Sequence, residues 1–103
     1  MSLGADRRKV THMQALLVLH AEQLGLQLAG KWWYRPKKSG VGHKDSLHHD
    51  SLALDFDAYR DGVYLPSGKE HEALHDYWDS IGGNERILND MNHYSYGGSG
   101  GVR

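Results

Sequence analysis

The chain has 103 residues, which suits one domain, and its formal net charge is −1. It contains no cysteine, so disulfide bonds and thiolate zinc sites are excluded and any metal site must use His, Asp or Glu. The near-neutral charge gives no argument for nucleic acid or a membrane surface as a partner. We therefore expect a single domain over residues 1–103, without a nucleic-acid partner, and we favour a monomer.

The first third of the chain predicts one long helix and one short strand. Residues 6–24 carry an apolar helical stripe, and Gly25 is expected to end the helix. Residues 26–34 predict a strand, and residues 36–44 predict a basic loop rich in Gly and Lys. The residues of the helical stripe are Val10, Met13, Leu17, Ala21 and Leu24.

The N-terminal residues 1–14 have no apolar run after their basic residues, so no signal peptide is predicted. No stretch approaches the roughly 18 consecutive apolar residues of a membrane span. We expect synthesis in the cytoplasm and no membrane insertion. Action outside the cell would need a separate route of release.

The second half of the chain predicts strands around one more helix. Residues 52–57 alternate between apolar side chains and small or acidic ones, which is typical of a strand with two unlike faces. A turn at residues 61–62 predicts a return strand at 63–65, and residues 93–96 predict a last strand. Residues 69–81 predict a helix whose apolar stripe consists of Leu74, Tyr77, Trp78 and Ile81. Strands and helices mix without a βαβ rhythm, so the expected class is α+β, with a small antiparallel sheet flanked by helices.

Residues 71–75 read HEALH and match H-E-x-x-H, a helical zinc signature of metalloproteases. The only Glu after this motif is Glu85, which is poorly placed as a third ligand beside the glycines that end the helix. Trp78 and Ile81 occupy the positions of the Gly and His of the extended motif. We interpret the match as incidental and expect His71 and His75 on an exposed polar face of the helix.

A second set of residues has the stoichiometry of a catalytic zinc site. His48, Asp55 and His93 would supply two imidazoles and one carboxylate and leave the fourth position open for water. Asp90, three residues before His93, is a candidate general base. From the residues alone, two alternatives stay open: His48 as a surface residue and Asp55 as a solvent-facing strand residue.

The pattern S-x-H-x-x-x-x-A-x-D, followed by D-x-x-H, resembles the family of zinc D,D-carboxypeptidases and L-alanyl-D-glutamate endopeptidases, which includes phage endolysins. The resemblance implies the zinc D,D-peptidase (hedgehog-like) fold. It implies zinc on His48, Asp55 and His93, with Asp90 as the catalytic base. Ala53 matches the small residue of the first motif, where it leaves room for the metal and the substrate.

The sequence KWWYRP at residues 31–36 resembles the strand that precedes the first motif of this family. Arg35 then becomes a candidate for binding a substrate carboxylate or stabilising the oxyanion. The alternative is a surface cation beside Lys37 and Lys38. Ser46, the first residue of the motif, is expected to contact the substrate.

The resemblance implies a zinc-dependent metallopeptidase that hydrolyses amide bonds in peptidoglycan stem peptides. Both the L-Ala-D-Glu endopeptidase and the D-Ala-D-Ala carboxypeptidase type remain open. A phage-type lysin that reaches the cell wall after release fits the lack of a signal peptide. The alternative is a non-catalytic, metal-stabilised structural or binding domain, such as a virion component, in which zinc contributes folding energy alone.

Overall fold

A computed structural model describes residues 3–31 and 52–97 of the chain. Within these ranges, two helices and a small antiparallel sheet form an α+β domain, so the predicted class is confirmed. Neither helix in the described part is long and apolar enough to cross a membrane. The predicted basic loop at 36–44 lies outside the described residues. The elements are α1 (Leu3–Gln23), β1 (Gln27–Lys31), β2 (Ala53–Arg60), β3 (Val63–Tyr64), α2 (His71–Ser80) and β4 (His93–Ser95).

Helix α1 buries most of the predicted stripe and ends at a glycine. Gly25 has a φ of 78°, and its N–H donates to the Glu22 carbonyl over 3.0 Å. The Leu26 N–H donates to the Ala21 carbonyl over 2.9 Å, which completes a Schellman motif. Leu24 was predicted in the stripe but is 41% exposed, because the helix stops before it and Leu26 enters the core instead.

Strand β2 is the centre of the sheet. Strand β1 pairs along one edge of β2, and both β3 and β4 pair antiparallel along the other edge. The β2–β3 hairpin turns through Asp61 and Gly62, whose φ values of 52° and 80° suit the primed turns that match strand twist. Strand β4 pairs with residues 53–55 and β3 with residues 59–60, so a gap remains between them on this edge.

The predicted alternation in β2 separates its two faces. Leu54 and Phe56 are buried in the core, where Phe56 meets the ring of Tyr94 from β4 edge-on at 5.8 Å. Asp55 and Asp57 lie on the opposite face and are only partly buried. The apolar residues of the core come from both helices and the sheet and include Val10, Met13, Leu17, Leu26, Leu54, Phe56, Leu74, Trp78 and Tyr94.

The short segment between α2 and β4 is held at its start and middle. The Asn84 N–H donates to the Ser95 carbonyl over 2.9 Å, and its side-chain amide donates to the Gly97 carbonyl over 3.0 Å. The Arg86 guanidinium donates to Asp76 and Asp79 of α2 at 2.7 and 2.9 Å. These bonds raise the pKa of Arg86 above its ordinary value. The segment that leads to Asp90 is therefore tied to both α2 and β4.

Candidate metal and catalytic site

Asp55 and His93 meet across the β2–β4 pair. They are 38 residues apart in the chain, yet they are direct cross-strand partners. Their side chains project from the same face of the sheet because opposite residues of antiparallel strands share a face. His93 Nδ1 lies 3.2 Å from Asp55 Oδ1. Two of the three residues predicted as zinc ligands are thus brought together.

The surroundings of this pair restrict access by solvent. The His93 side chain is 3% exposed and the Asp55 side chain 16% exposed. The next cross-strand pair on the same face consists of Ala53 and Ser95, both small and buried. A carboxylate and an imidazole in such a place can share a proton, as an Nδ1–H donated to the carboxylate, or can hold a metal ion.

Asp90 begins the turn that leads into β4. Its carbonyl accepts from the His93 N–H over 3.1 Å, and its own N–H donates to the Ile87 carbonyl over 2.9 Å. Its side chain is exposed and lines a groove of about 380 Å³ at the gap between β3 and β4. Asp57, two residues beyond Asp55 on the same strand face, lines the same groove. The predicted base therefore lies at the rim of an open groove, beside the strand that carries Asp55.

The other predicted site residues, Arg35, Ser46 and His48, lie outside the described residues. Within residues 3–31 and 52–97, no group of three or more His, Asp or Glu side chains is arranged to hold a metal ion. The described part thus contains a pair of candidate ligands. Among these residues the HEALH motif also has no third metal ligand.

The expectation that His71 and His75 are exposed is wrong. They are 3% and 0% exposed, and only Glu72 of the three motif residues faces solvent. The buried residues of α2 are His71, Leu74, His75 and Trp78, a spacing of i, i+3, i+4 and i+7. Had the imidazoles been counted with the apolar residues, this spacing would have predicted their burial.

Both histidines contact the last strand and the turn before it. His71 Nδ1 is hydrogen-bonded to the Tyr94 hydroxyl. The ring of His75 stacks on Tyr94 at 4.2 Å and 12°, and its Nε2 lies 2.7 Å from the Met91 carbonyl oxygen. Sequence reasoning missed these contacts, because nothing in the spacing of the motif shows which element the helix packs against.

Burial keeps these imidazoles neutral. Desolvation lowers the pKa of His75 to about 4, against a smaller opposing effect of the Met91 carbonyl. Desolvation also lowers the pKa of His71, while the carboxylates of Glu70 and Asp57 act in the opposite direction. Burial raises the pKa of the Tyr94 hydroxyl above its usual range. All three groups are therefore uncharged at neutral pH.

Comparison with known proteins adds no relative. No protein-family model, no curated protein and no solved structure matches the chain. The assignment of a function consequently depends on the residues and the geometry described above.

Proposed function

We propose that this protein is a zinc-dependent peptidase that hydrolyses amide bonds in peptidoglycan stem peptides. In this proposal His48, Asp55 and His93 hold the metal, and Asp90 is the general base. Arg35 and Ser46 bind the substrate, and Arg35 also stabilises the oxyanion. The cleaved bond is of the L-Ala-D-Glu or the D-Ala-D-Ala type, and the protein acts at the cell wall after release from the cytoplasm.

The observation that carries this proposal is the pairing of Asp55 with His93. Zinc bonds of 2.0–2.1 Å in a tetrahedron separate two ligand atoms by roughly 3.3 Å. The separation of 3.2 Å between Asp55 Oδ1 and His93 Nδ1 is close to that value, and it equally suits a direct hydrogen bond. Their burial and their place on one sheet face suit a metal site that is shielded from bulk water, so these two residues fit the proposed role.

The chain's own residues supply the remaining chemistry. When bound, zinc lowers the pKa of the attacking water to roughly 7 and polarises the scissile carbonyl. Asp90 accepts a proton from the attacking water and later returns it to the leaving amine. The guanidinium of Arg35 compensates the negative charge that develops on the carbonyl oxygen. In this proposal the groove that Asp57 and Asp90 line receives part of the peptide substrate.

The first experiment measures metal content and cleavage in the same preparation. We expect zinc to co-purify with the protein, and we expect mass spectrometry of digested peptidoglycan to show new amino termini at one type of bond. Asp90→Asn should retain zinc and lose at least a hundredfold in cleavage, because general-base catalysis contributes about 10²–10⁴-fold. Asp61→Asn is the matched control, since Asp61 is exposed in a turn with positive φ that Asn tolerates.

The second experiment addresses the ligands. His93→Ala should abolish zinc binding, whereas His12→Ala, at an exposed position of α1, should leave it unchanged. A chelator should lower the melting temperature of the wild type and not that of His93→Ala. If the wild type binds zinc but releases no amino groups from any wall type, the domain is a metal-stabilised structural piece. If it binds no zinc, the proposal fails altogether.

A further inference from the structure

His75 is a buried imidazole with a defined proton position. A carbonyl oxygen only accepts hydrogen bonds, so the 2.7 Å contact with Met91 requires His75 to donate from Nε2–H. Its Nδ1 then carries the lone pair. This atom is buried and has no hydrogen-bond partner among residues 3–31 and 52–97. The Met91 carbonyl therefore selects the tautomer of His75.

Met91 lies in the middle of the turn that joins Asp90 to His93. Strand β2 holds this turn from one side, since the Phe56 N–H donates to the Asn92 carbonyl over 2.8 Å. Helix α2 holds it from another side through the imidazole bond to Met91. The turn is thus fixed between a strand and a helix immediately before the residue proposed as a zinc ligand.

Tyr94 fixes the orientation of the imidazole that makes this bond. It is fully buried, and its ring stacks on His75 at 4.2 Å. Its hydroxyl is held by His71, one helical turn earlier in α2. Because Tyr94 directly follows His93 in β4, the same helix contacts the chain on both sides of His93.

We propose that His75 is a positioning residue for Asp90 and His93. Its Nε2–H holds the Met91 carbonyl, and the fixed turn then sets the directions of the Asp90 carboxylate and the His93 ring. His75 acts through the backbone and has no contact with substrate or metal in this scheme. The catalytic part of this inference rests on the proposed function, whereas the structural part does not.

Two substitutions at one position separate the hydrogen bond from packing. His75→Phe keeps an aromatic ring against Tyr94 and removes the donor, whereas His75→Gln keeps an N–H donor at similar reach. We expect amide hydrogen exchange at His93 and Phe56 to be about tenfold faster in the Phe variant, because one hydrogen bond is lost. The Gln variant should return most of the way to the wild-type rates.

The matched control is His20→Phe. His20 of α1 stacks on Tyr77 of α2 at 4.0 Å and 6°, so the substitution replaces an imidazole with a phenyl ring against a tyrosine, as His75→Phe does. Exchange at residues 90–93 should stay at wild-type rates in this variant. Unchanged exchange in His75→Phe, or the same acceleration in both His75 variants, would overturn the structural part.

A measurement on the wild type does not depend on how well the variants fold. Long-range ¹H–¹⁵N correlations report which ring nitrogen carries the proton. We expect a neutral His75 with its proton on Nε2 at pH 7. A proton on Nδ1 would overturn the proposal, because the Met91 carbonyl would then have no donor in the ring.

The catalytic part is tested by steady-state kinetics on purified peptidoglycan fragments. His75→Phe should retain zinc and lose roughly 10- to 100-fold in kcat with little change in KM, because a small displacement of the reacting groups lowers the rate of the chemical step. Wild-type kcat in a variant with faster exchange would overturn this part. If the wild type contained no zinc and showed no cleavage, the proposed function would fail. The hydrogen-exchange result would still decide the structural part of the proposal.

Discussion

At the scale of single residues, Gly83 lies directly against the indole ring of Trp78. The indole of Trp78 is fully buried and donates its Nε1–H to the Ser95 carbonyl over 3.0 Å. A Cβ added at Gly83 would lie 2.0 Å from the Cδ1 and Nε1 atoms of this ring. The ring cannot retreat without breaking its bond to β4, so only a residue without a side chain fits here.

Gly83→Ala should therefore destabilise the protein by about 1–3 kcal/mol, the usual cost of overpacking. Urea unfolding monitored by Trp fluorescence measures it. Gly4→Ala is the control, because the nearest atom to its added Cβ is 3.7 Å away and Ala is the better helix former. Equal free energies of unfolding for Gly83→Ala and the wild type would contradict the contact described here.

The residue types also show which parts of the site were predictable. The sequence assigned Asp55 and His93 a shared ligand role, and the structure shows that their side chains are in contact, while the ligand role itself stays a prediction. The zinc itself and the role of Asp90 stay predictions. His71 and His75 were assigned to the wrong environment, because polar residues are usually exposed and the motif itself does not reveal a partner such as Tyr94.

At the scale of elements, α2 joins the core to the candidate site. One face packs Leu74 and Trp78 into the core, as predicted, and the same face carries two imidazoles that reach β4 and the turn before it. The predicted bounds of 69–81 differ from the helix at His71–Ser80 by one or two residues. Periodicity identified the helix well but could not identify the element it packs against.

Glu72 gives a test of HEALH that leaves the core intact. Glu72 is exposed, so Glu72→Gln should change the free energy of unfolding by less than about 0.5 kcal/mol and leave cleavage unchanged. In H-E-x-x-H proteases the Glu is the general base. Loss of cleavage in this variant, with Asp90→Asn active, would return the active site to α2. Substituting alanine for His71 and His75 is a poorer test, because both side chains are buried and their removal would also destabilise the fold.

At the scale of the whole molecule, the buried imidazoles make stability depend on pH. The pKa of His75 is about 4 in the folded protein and about 6.5 in the unfolded chain, so the unfolded chain binds its proton first as pH falls. The contribution of His75 to the free energy of unfolding is therefore at its full value above pH 6.5 and is lost as pH falls towards 4. The lowered pKa of His71 acts in the same direction.

Urea unfolding at pH 7.5, 5.5 and 4.5 measures this effect. We expect His75 to account for a loss of up to about 3 kcal/mol across the range. His75→Gln should show a correspondingly smaller dependence on pH, whereas His12→Gln, at an exposed position, should keep that of the wild type. The same pH dependence in both variants would show that other groups, such as the carboxylates, cause it.

The sequence by itself determined the local structure of this protein. Helical spacing, alternation along β2 and the glycine that follows α1 each depend on neighbours in the chain, so they predicted the elements and the α+β class. Only the tertiary structure decided that Asp55 pairs with His93, and that His75 is buried against Tyr94. Those contacts join residues 38 and 19 positions apart, and they depend on strand register and helix packing, which local patterns do not encode.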